Sequence, residues 1–480
     1  MKRSDWMSNI EVSLTKKRLL HLLLILAVAL LVRGLTAQFI GARLADPGWF
    51  PYGIYAVFDR QAQDGLDART SFLWIDDPSN TDAAIYPPGY PLWLATIYRV
   101  TGIRSAAVVQ KVQWVLDALS VLLIVGAGIT SFGWRSGLVA GWLAALWPLP
   151  AIYGATPLAD APTAWIVLAG AWMLLLAARR NSLRFAIVAG ALVGLSCWFR
   201  GNAMFLTVFW VLALLILVSA PWRRRVTLSA SLAVAAILVM APVVIRNIAA
   251  FHAFVPTGMG IGTNLWEGIG EDERGIKEFG AVYGDDILLE QERIELGIPL
   301  GAKFNLYYPN GVERDRKRTR RAMAVIVRHP IWYSGLVLRR MAGVLKFAGT
   351  PSPIYGSSGF NLTAKKTLPP AWQNPALALP VNVLGMIQSV LRFLLLPLML
   401  FGLVFALRAD GRFAGLLLAT VLYYLVVGSM IHTHIRYGLP MHGLLTIFAA
   451  IALVRSKDLI ANRWSKVGSK GHLESDAAPA

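Results

Sequence analysis

The chain has 480 residues, of which 56% are hydrophobic and only 15% charged, and its mean hydropathy is +0.55. A soluble globular chain carries about a quarter charged residues, so this composition excludes an ordinary soluble protein and points to one that crosses a membrane many times. The net charge of +19 does not indicate a nucleic-acid partner, because the basic residues cluster between hydrophobic runs, the positive-inside pattern of membrane topology.

The N-terminal stretch is basic and leads into an apolar run too long for a signal peptide, with no clean small-residue cleavage site, which reads as a retained first span. Runs long enough to cross a bilayer, about 20 residues each, fall at 18–38, 106–131, 136–154, 162–178, 184–199, 203–221, 226–245, 379–406, 413–431 and 438–454. The expected fold is therefore an all-α polytopic membrane protein of about ten transmembrane helices, with outer-face loops and a small mixed outer region. Basic clusters mark alternate ends of the runs: Lys16-Lys17-Arg18, Arg135, Arg179-Arg180 with Arg184, Arg223 to Arg225, Arg408 with Arg412, and Arg455 to Lys470. They fit one orientation with both termini cytoplasmic. Nineteen of the 27 acidic residues lie in two segments, seven in 41–104 and twelve in 267–315, and ten spans put both outside. The run 330–348 carries Arg339 and Arg340 near its middle; reading it as a span would turn the basic tail outward, so an interfacial helix is expected. The resulting division is 1–245, a membrane module with a long first outer loop (41–104); 246–378, an outer-face region; and 379–480, a second membrane module with a basic tail. The single Cys197 excludes an internal disulfide.

The segment 41–104 is too long, acidic and aromatic for a mere connector. Its aspartates are Asp46, Asp59, Asp64, Asp67, Asp76, Asp77 and Asp82, and Tyr86 to Pro91 leads into an amphipathic run. P-loop, HExxH, paired CxxC and nucleophile-elbow motifs are missing from the sequence. What stands out is polar residues at span ends that the topology brings to one face: Tyr86, Asp160 in TPLADAP, Arg200 in FRGNAM, Arg246-Asn247, Asn264 in GTNLWEG, and His432, His434, Arg436 and Tyr437 in IHTHIRYGLP. Each has a plainer reading. Asp160 at a helix start can serve as a cap. The arginines can snorkel to lipid phosphates, and the two histidines can make hydrogen bonds at the interface or hold a metal. Asp117 falls inside a span, where a carboxylate costs about 2.5–3.5 kcal/mol; pairing with nearby Lys111 or Gln113 is the expectation, a proton relay the alternative.

In this order and spacing, AIYPPGYPLWLATIY, TPLADAP, FRGNAM, APVVIRNIAAFHAFVPTGMGIGTNLWEG and HIRYGLPMHGLLTIFAA resemble the C-type (GT-C) membrane glycosyltransferases, across about residues 18–455. Within them the resemblance is to the branch of protein mannosyltransferases and lipid A aminoarabinose transferases. It implies a polyprenyl-phosphate-linked sugar donor, an acceptor that is a glycan, lipid or protein, an active site at the outer membrane face and an acidic base in the first outer loop. It also implies basic residues around the donor phosphate, a bacterial inner-membrane setting among membrane lipids, and no nucleic acid; a divalent cation such as Mg or Mn is an open question. One departure stands out: the position three or four residues before Phe58, where that family has its acid, is held by Ile54 or Tyr55.

The candidate site therefore comprises Asp59, Asp46 and Asp160 as carboxylates, with Asp59 preferred as base. Arg200, Arg246 and Arg436 are the candidates for the donor phosphate, and Tyr86, Asn247, Asn264, His434 and Tyr437 for substrate contacts. A transporter or lipid flippase, and a catalytically inactive relative acting as a binding subunit, are the competing readings; the first would need repeated halves with broken helices near the midplane, and no repeat is visible.

Overall fold

The computed structural model describes residues 15–41, 43–46, 50–75, 86–346, 375–431 and 435–475. In chain order the helices are α1 (Lys16–Gly41), α2 (Phe50–Leu66), α3 (Gly89–Thr101), α4 (Ala106–Phe132), α5 (Trp134–Leu146), α6 (Pro148–Gly154), α7 (Asp160–Arg180), α8 (Leu183–Phe199) and α9 (Leu206–Leu217). Next come α10 (Trp222–Phe251), α11 (Ile261–Gly270), α12 (Glu273–Phe279), α13 (Asp285–Leu296), α14 (Gly311–Arg328), α15 (Pro330–Lys346), α16 (Pro375–Ile431) and α17 (Leu439–Ser475). Among the described residues there is no β-strand, only one isolated bridge between Asn305 and Tyr308. The chain is an all-α, multi-pass membrane protein.

By length and composition six helices can cross a membrane, or seven if the bent pair α5–α6 counts as one, and α8 and α9 are apolar but shorter. The expected count of ten is thus not confirmed. Part of the difference is that α16 runs through the two apolar runs 379–406 and 413–431. Its backbone leaves helical geometry only at Asp410, whose side chain accepts from the amides of Arg412 (3.1 Å) and Phe413 (3.4 Å) and so restarts the helix.

Close approach of small residues packs the bundle. A Cβ on Gly190 would sit 2.0 Å from the Leu232 carbonyl oxygen, and one on Gly194 2.5 Å from that of Ala236, so α8 and α10 touch backbone to backbone. Between α5 and α6 the axis turns by 59°, with Pro148 opening α6. Such a break strands carbonyls, and Arg33 of α1 supplies the missing donors, Nη1 to Ala145 O (2.7 Å) and Nη2 to Ala144 O (3.2 Å). Its Nε binds Asp117 at 2.8 Å, and the other Asp117 oxygen accepts from Trp165 Nε1 at 2.8 Å. The partner of Asp117 is therefore Arg33, not Lys111 or Gln113 as the sequence suggested. Six residues along a helix is about 600°, which leaves Lys111 about 120° around from Asp117. Gln113 instead gives its amide to Leu158 O (3.1 Å) and accepts from Tyr90 OH (3.3 Å), while Gln110 binds Ala155 O (2.8 Å). One polar stripe of α4 thereby holds α6 and the 155–159 turn that opens α7.

Helices α11 to α15 pack around Trp266, Ile269, Ala281, Leu288, Ala322, Tyr333 and Leu336. Two arginines of α14, Arg314 and Arg318, close on Glu292 of α13. Helix α15 covers most of the run expected to be interfacial and is not among the helices that qualify as spans. Its Arg340 is buried against Glu271 (3.0 Å) and donates to Ser429 O (3.2 Å), and Tyr333 OH donates to Met430 O, which ties this cluster to the end of α16.

Candidate functional site

Asp160 is the first residue of α7, yet its side chain caps nothing; it grips the Arg200 guanidinium where α8 ends. Asp160 is 3% exposed, and its second oxygen, Oδ2, has no hydrogen-bond partner. Arg200 leaves α8 in extended backbone, which turns its side chain back over α7, and its guanidinium carbon lies 5.1 Å from the centre of the Tyr437 ring. The guanidinium of Arg436 lies 5.3 Å from the same ring, from the short 3₁₀ turn Ile435–Gly438, and Asp160 is within its electrostatic reach. Tyr437 OH donates to Asn264 Oδ1 of α11 (3.4 Å), and Asn264 Nδ2 reaches Gly260 O at 2.6 Å. Five residues distant in sequence, Asp160, Arg200, Asn264, Arg436 and Tyr437, thus meet at one place.

Tyr86 joins them. Burial pushes its phenol pKa up, the positive charges of Arg436 and Arg200 partly offset that, and Asp285 of α13 adds to it. Its ring packs on Phe58 of α2 (centroids 4.7 Å apart), and Phe58 meets Tyr90 edge-on at 4.9 Å. Phe58 therefore turns to the cleft and Asp59 turns to α3. Asp59 Oδ1 accepts from Tyr98 OH (2.5 Å) and Tyr55 OH (3.4 Å), and Oδ2 accepts from Gln63 (2.9 Å). Tyr55, which with Ile54 stands where the resembled family has its acid, is bonded to Tyr98 OH at 2.7 Å. Asp46 lies exposed in the turn after α1. Asp64 and Asp67 pair with Arg69, and Asp67 with Arg104, at the surface. Asp76, Asp77, Asp82, His432 and His434 lie outside the described residues.

Arg246 and Asn247 are buried on α10. Asn247 Nδ2 donates to Val255 O and Thr257 O, both at 2.9 Å, folding the chain after α10 back on itself. Thr257 then abuts Gly201, where a Cβ would come within 2.3 Å of its Oγ1. Asn247 thus shapes the loop beside Arg200.

Sequence reasoning missed two carboxyls facing this cleft. Glu267 of α11 is hydrogen-bonded to Asp285 at the start of α13 and accepts from the Gly284 amide. Glu267 stands three residues after Asn264 in the same GTNLWEG stretch, whereas Asp285 was one of twelve acids in an undifferentiated block. Among the described residues no three His, Cys, Asp or Glu side chains come together as metal ligands, and one Asp160 oxygen is engaged by Arg200.

A model of the dolichyl-phosphate-mannose-protein mannosyltransferase family matches residues 86–246, a third of the chain, which includes Tyr86, Asp160, Arg200 and Arg246. Among solved structures, the archaeal oligosaccharyltransferase AglB from Archaeoglobus fulgidus, in complex with an inhibitory peptide and a dolichol-phosphate, aligns with a TM-score of 0.50 at 14% identity. The alignment covers 97% of this chain and 52% of that one. The apo form of the Archaeoglobus fulgidus oligosaccharyltransferase aligns with a TM-score of 0.51, again at 14% identity, over 93% and 52% of the two chains. The chain resembles the C-type membrane glycosyltransferases. At this identity the solved structures speak for the fold, and this chain spans about half their length. No curated protein matches the sequence.

Proposed function

We propose that this chain is a membrane glycosyltransferase that moves a sugar from a polyprenyl-phosphate donor to an acceptor. The observation that carries the reading is the pair of guanidiniums, Arg200 and Arg436, over one tyrosine ring with the Asp160 carboxylate in reach of both. Planar guanidinium donors bind phosphate oxygens in pairs, so two that converge on one ring suit a phosphate. In the transfer, an acceptor oxygen or nitrogen bonds to the anomeric carbon as the bond from that carbon to the phosphate oxygen breaks. The polyprenyl phosphate leaves with the electron pair, so the arginines stabilise the charge it gains, and no general acid is needed. A carboxylate takes the acceptor proton. We assign that role to Asp160: one oxygen is fixed by Arg200 and the other is unengaged. Both oxygens of Asp59 already accept from hydroxyl and amide donors, and we read Asp59 as a brace for α2 on α3. In-line attack inverts the anomeric centre. Arg246 stands as a third cation for the donor, Tyr86 and Asn264 as substrate contacts. On the charge pattern the site faces outward and the termini face the cytoplasm, as in a bacterial inner membrane, with 246–378 as the outer-face unit.

The intramembrane charges do not favour a transporter, because both Asp117 oxygens and the Nε, Nη1 and Nη2 groups of Arg33 serve helix packing. The reading is tested by incubating membranes containing the protein with a panel of labelled polyprenyl-phosphate sugars and following sugar release. Release by the native chain, lost in Arg200→Ala and Arg436→Ala and partly kept in the lysine variants, is the expected result. Donor binding unchanged in both alanine variants would move the phosphate site elsewhere.

A further inference from the structure

Glu267 stands one helical turn along α11 from Asn264, which meets Tyr437, and Asp285 lies beside it. Asp285 acts on the same phenol that senses Arg200 and Arg436, and Tyr283, which is 47% exposed, senses both Glu267 and Tyr437. Glu267 is only 8% exposed, yet its Oε1 has no hydrogen-bond partner, a condition that is costly when nothing fills it. Neutralisation from within the chain is limited. Arg318, the cation acting on Glu267, spends Nε and Nη2 on Glu292 and Nη1 on Thr263. Asp285 itself is exposed to solvent.

Resting on the glycosyl-transfer reading above, we propose that Glu267 and Asp285 are the acceptor-binding face of the cleft, and that they select a neutral, hydroxyl-rich acceptor over an anionic one. Carboxylates accept hydrogen bonds from hydroxyls and repel phosphates and carboxylates, so the pair sorts ligands by charge. The arginines take the anionic donor, and the acids receive the uncharged acceptor. Burial first, and then the neighbouring Asp285 charge, hold the Glu267 pKa up to about 8, with the Gly284 amide and Arg318 working against them. Near neutral pH Glu267 therefore keeps its proton and can donate a hydrogen bond.

A test independent of the donor uses dicyclohexylcarbodiimide, which modifies protonated carboxyls in apolar surroundings. The full chain in nanodiscs at pH 7 is labelled with and without a neutral methyl glycoside panel (glucoside, mannoside, galactoside) and, separately, methyl glucuronide. Modification of Glu267 is read by peptide mass, with Glu267→Gln as blank. The expected result is labelling at Glu267 that a neutral glycoside suppresses and the glucuronide does not. Asp285→Asn should lose the protection and Asp285→Glu should retain it. An unreactive Glu267, no protection by any neutral glycoside, or equal protection by the glucuronide would overturn the proposal. Failure of the native chain to bind labelled polyprenyl phosphate would instead break the glycosyl-transfer reading and leave the protection result standing.

Discussion

The intramembrane pair Arg33–Asp117 and the cleft pair Arg200–Asp160 use the same two residue types, and they differ in what is left over. At Asp117 both oxygens are occupied, and Arg33 spends its remaining donors on two carbonyls at the α5–α6 break. At Asp160 one oxygen is unengaged, and a second guanidinium stands over the same tyrosine as the first. Buried polar atoms are almost always paired, so saturation marks the first pair as a pin for the fold, and surplus marks the second as a place for a ligand.

That contrast breaks most visibly in turnover. Asp160→Asn keeps the shape and the contact with Arg200 but removes the base, so transfer should fall by about 10²- to 10⁴-fold. Labelled-donor binding should stay near the native level. A variant that transfers normally would remove Asp160 from the chemistry. For the pin, the expected loss is in stability: Asp117→Leu leaves Arg33 buried without a counter-ion, at a cost of about 3–5 kcal/mol. The double variant Arg33→Met/Asp117→Leu should recover much of that in thermal unfolding of the detergent-solubilised protein. A single variant as stable as the native chain would contradict the closed-pair account.

Asp59 lies between these extremes, with both oxygens hydrogen-bonded but partly exposed. Asp59→Asn should lower stability by about 1 kcal/mol and leave transfer nearly unchanged. Collapse of transfer in this variant with Asp160→Asn still active would exchange their roles.

Much of the membrane architecture was legible in the sequence because long apolar runs and basic clusters are one-dimensional signals. The gathering of Tyr86, Asp160, Arg200, Asn264, Arg436 and Tyr437 was legible for the same reason, since span ends that face one side must meet. Three-dimensional pairings were not. Arg33 and Asp117 are 84 residues apart, and of the nearer candidates Lys111 lay about 120° around the helix while Gln113 was engaged by Leu158 and Tyr90. The break at Asp410, between the runs 379–406 and 413–431, is one residue's backbone geometry, which apolar runs do not specify. Glu267 lay within a quoted motif, but its significance depends on Asp285, which helix α13 brings back to it.

The smallest expected effect sharpens the open side of the comparison. A glutamate in the unfolded chain titrates near 4.5, whereas Glu267 in the folded chain holds its proton to about 8. Between those values the unfolded state has lost a proton that the folded state keeps, so this group makes stability fall as pH rises from about 4.5 to about 8. It contributes full stability below that window. Glu267→Gln should flatten this part of the profile of unfolding temperature against pH; an unchanged slope would place the titration elsewhere.

The central claim, that the cleft under Tyr437 holds the donor phosphate, is tested most directly by an experimental structure with a bound polyprenyl phosphate. The account predicts the phosphate in contact with both Arg200 and Arg436, with its lipid chain along the apolar helices. Phosphate density elsewhere, with this cleft empty, would contradict it.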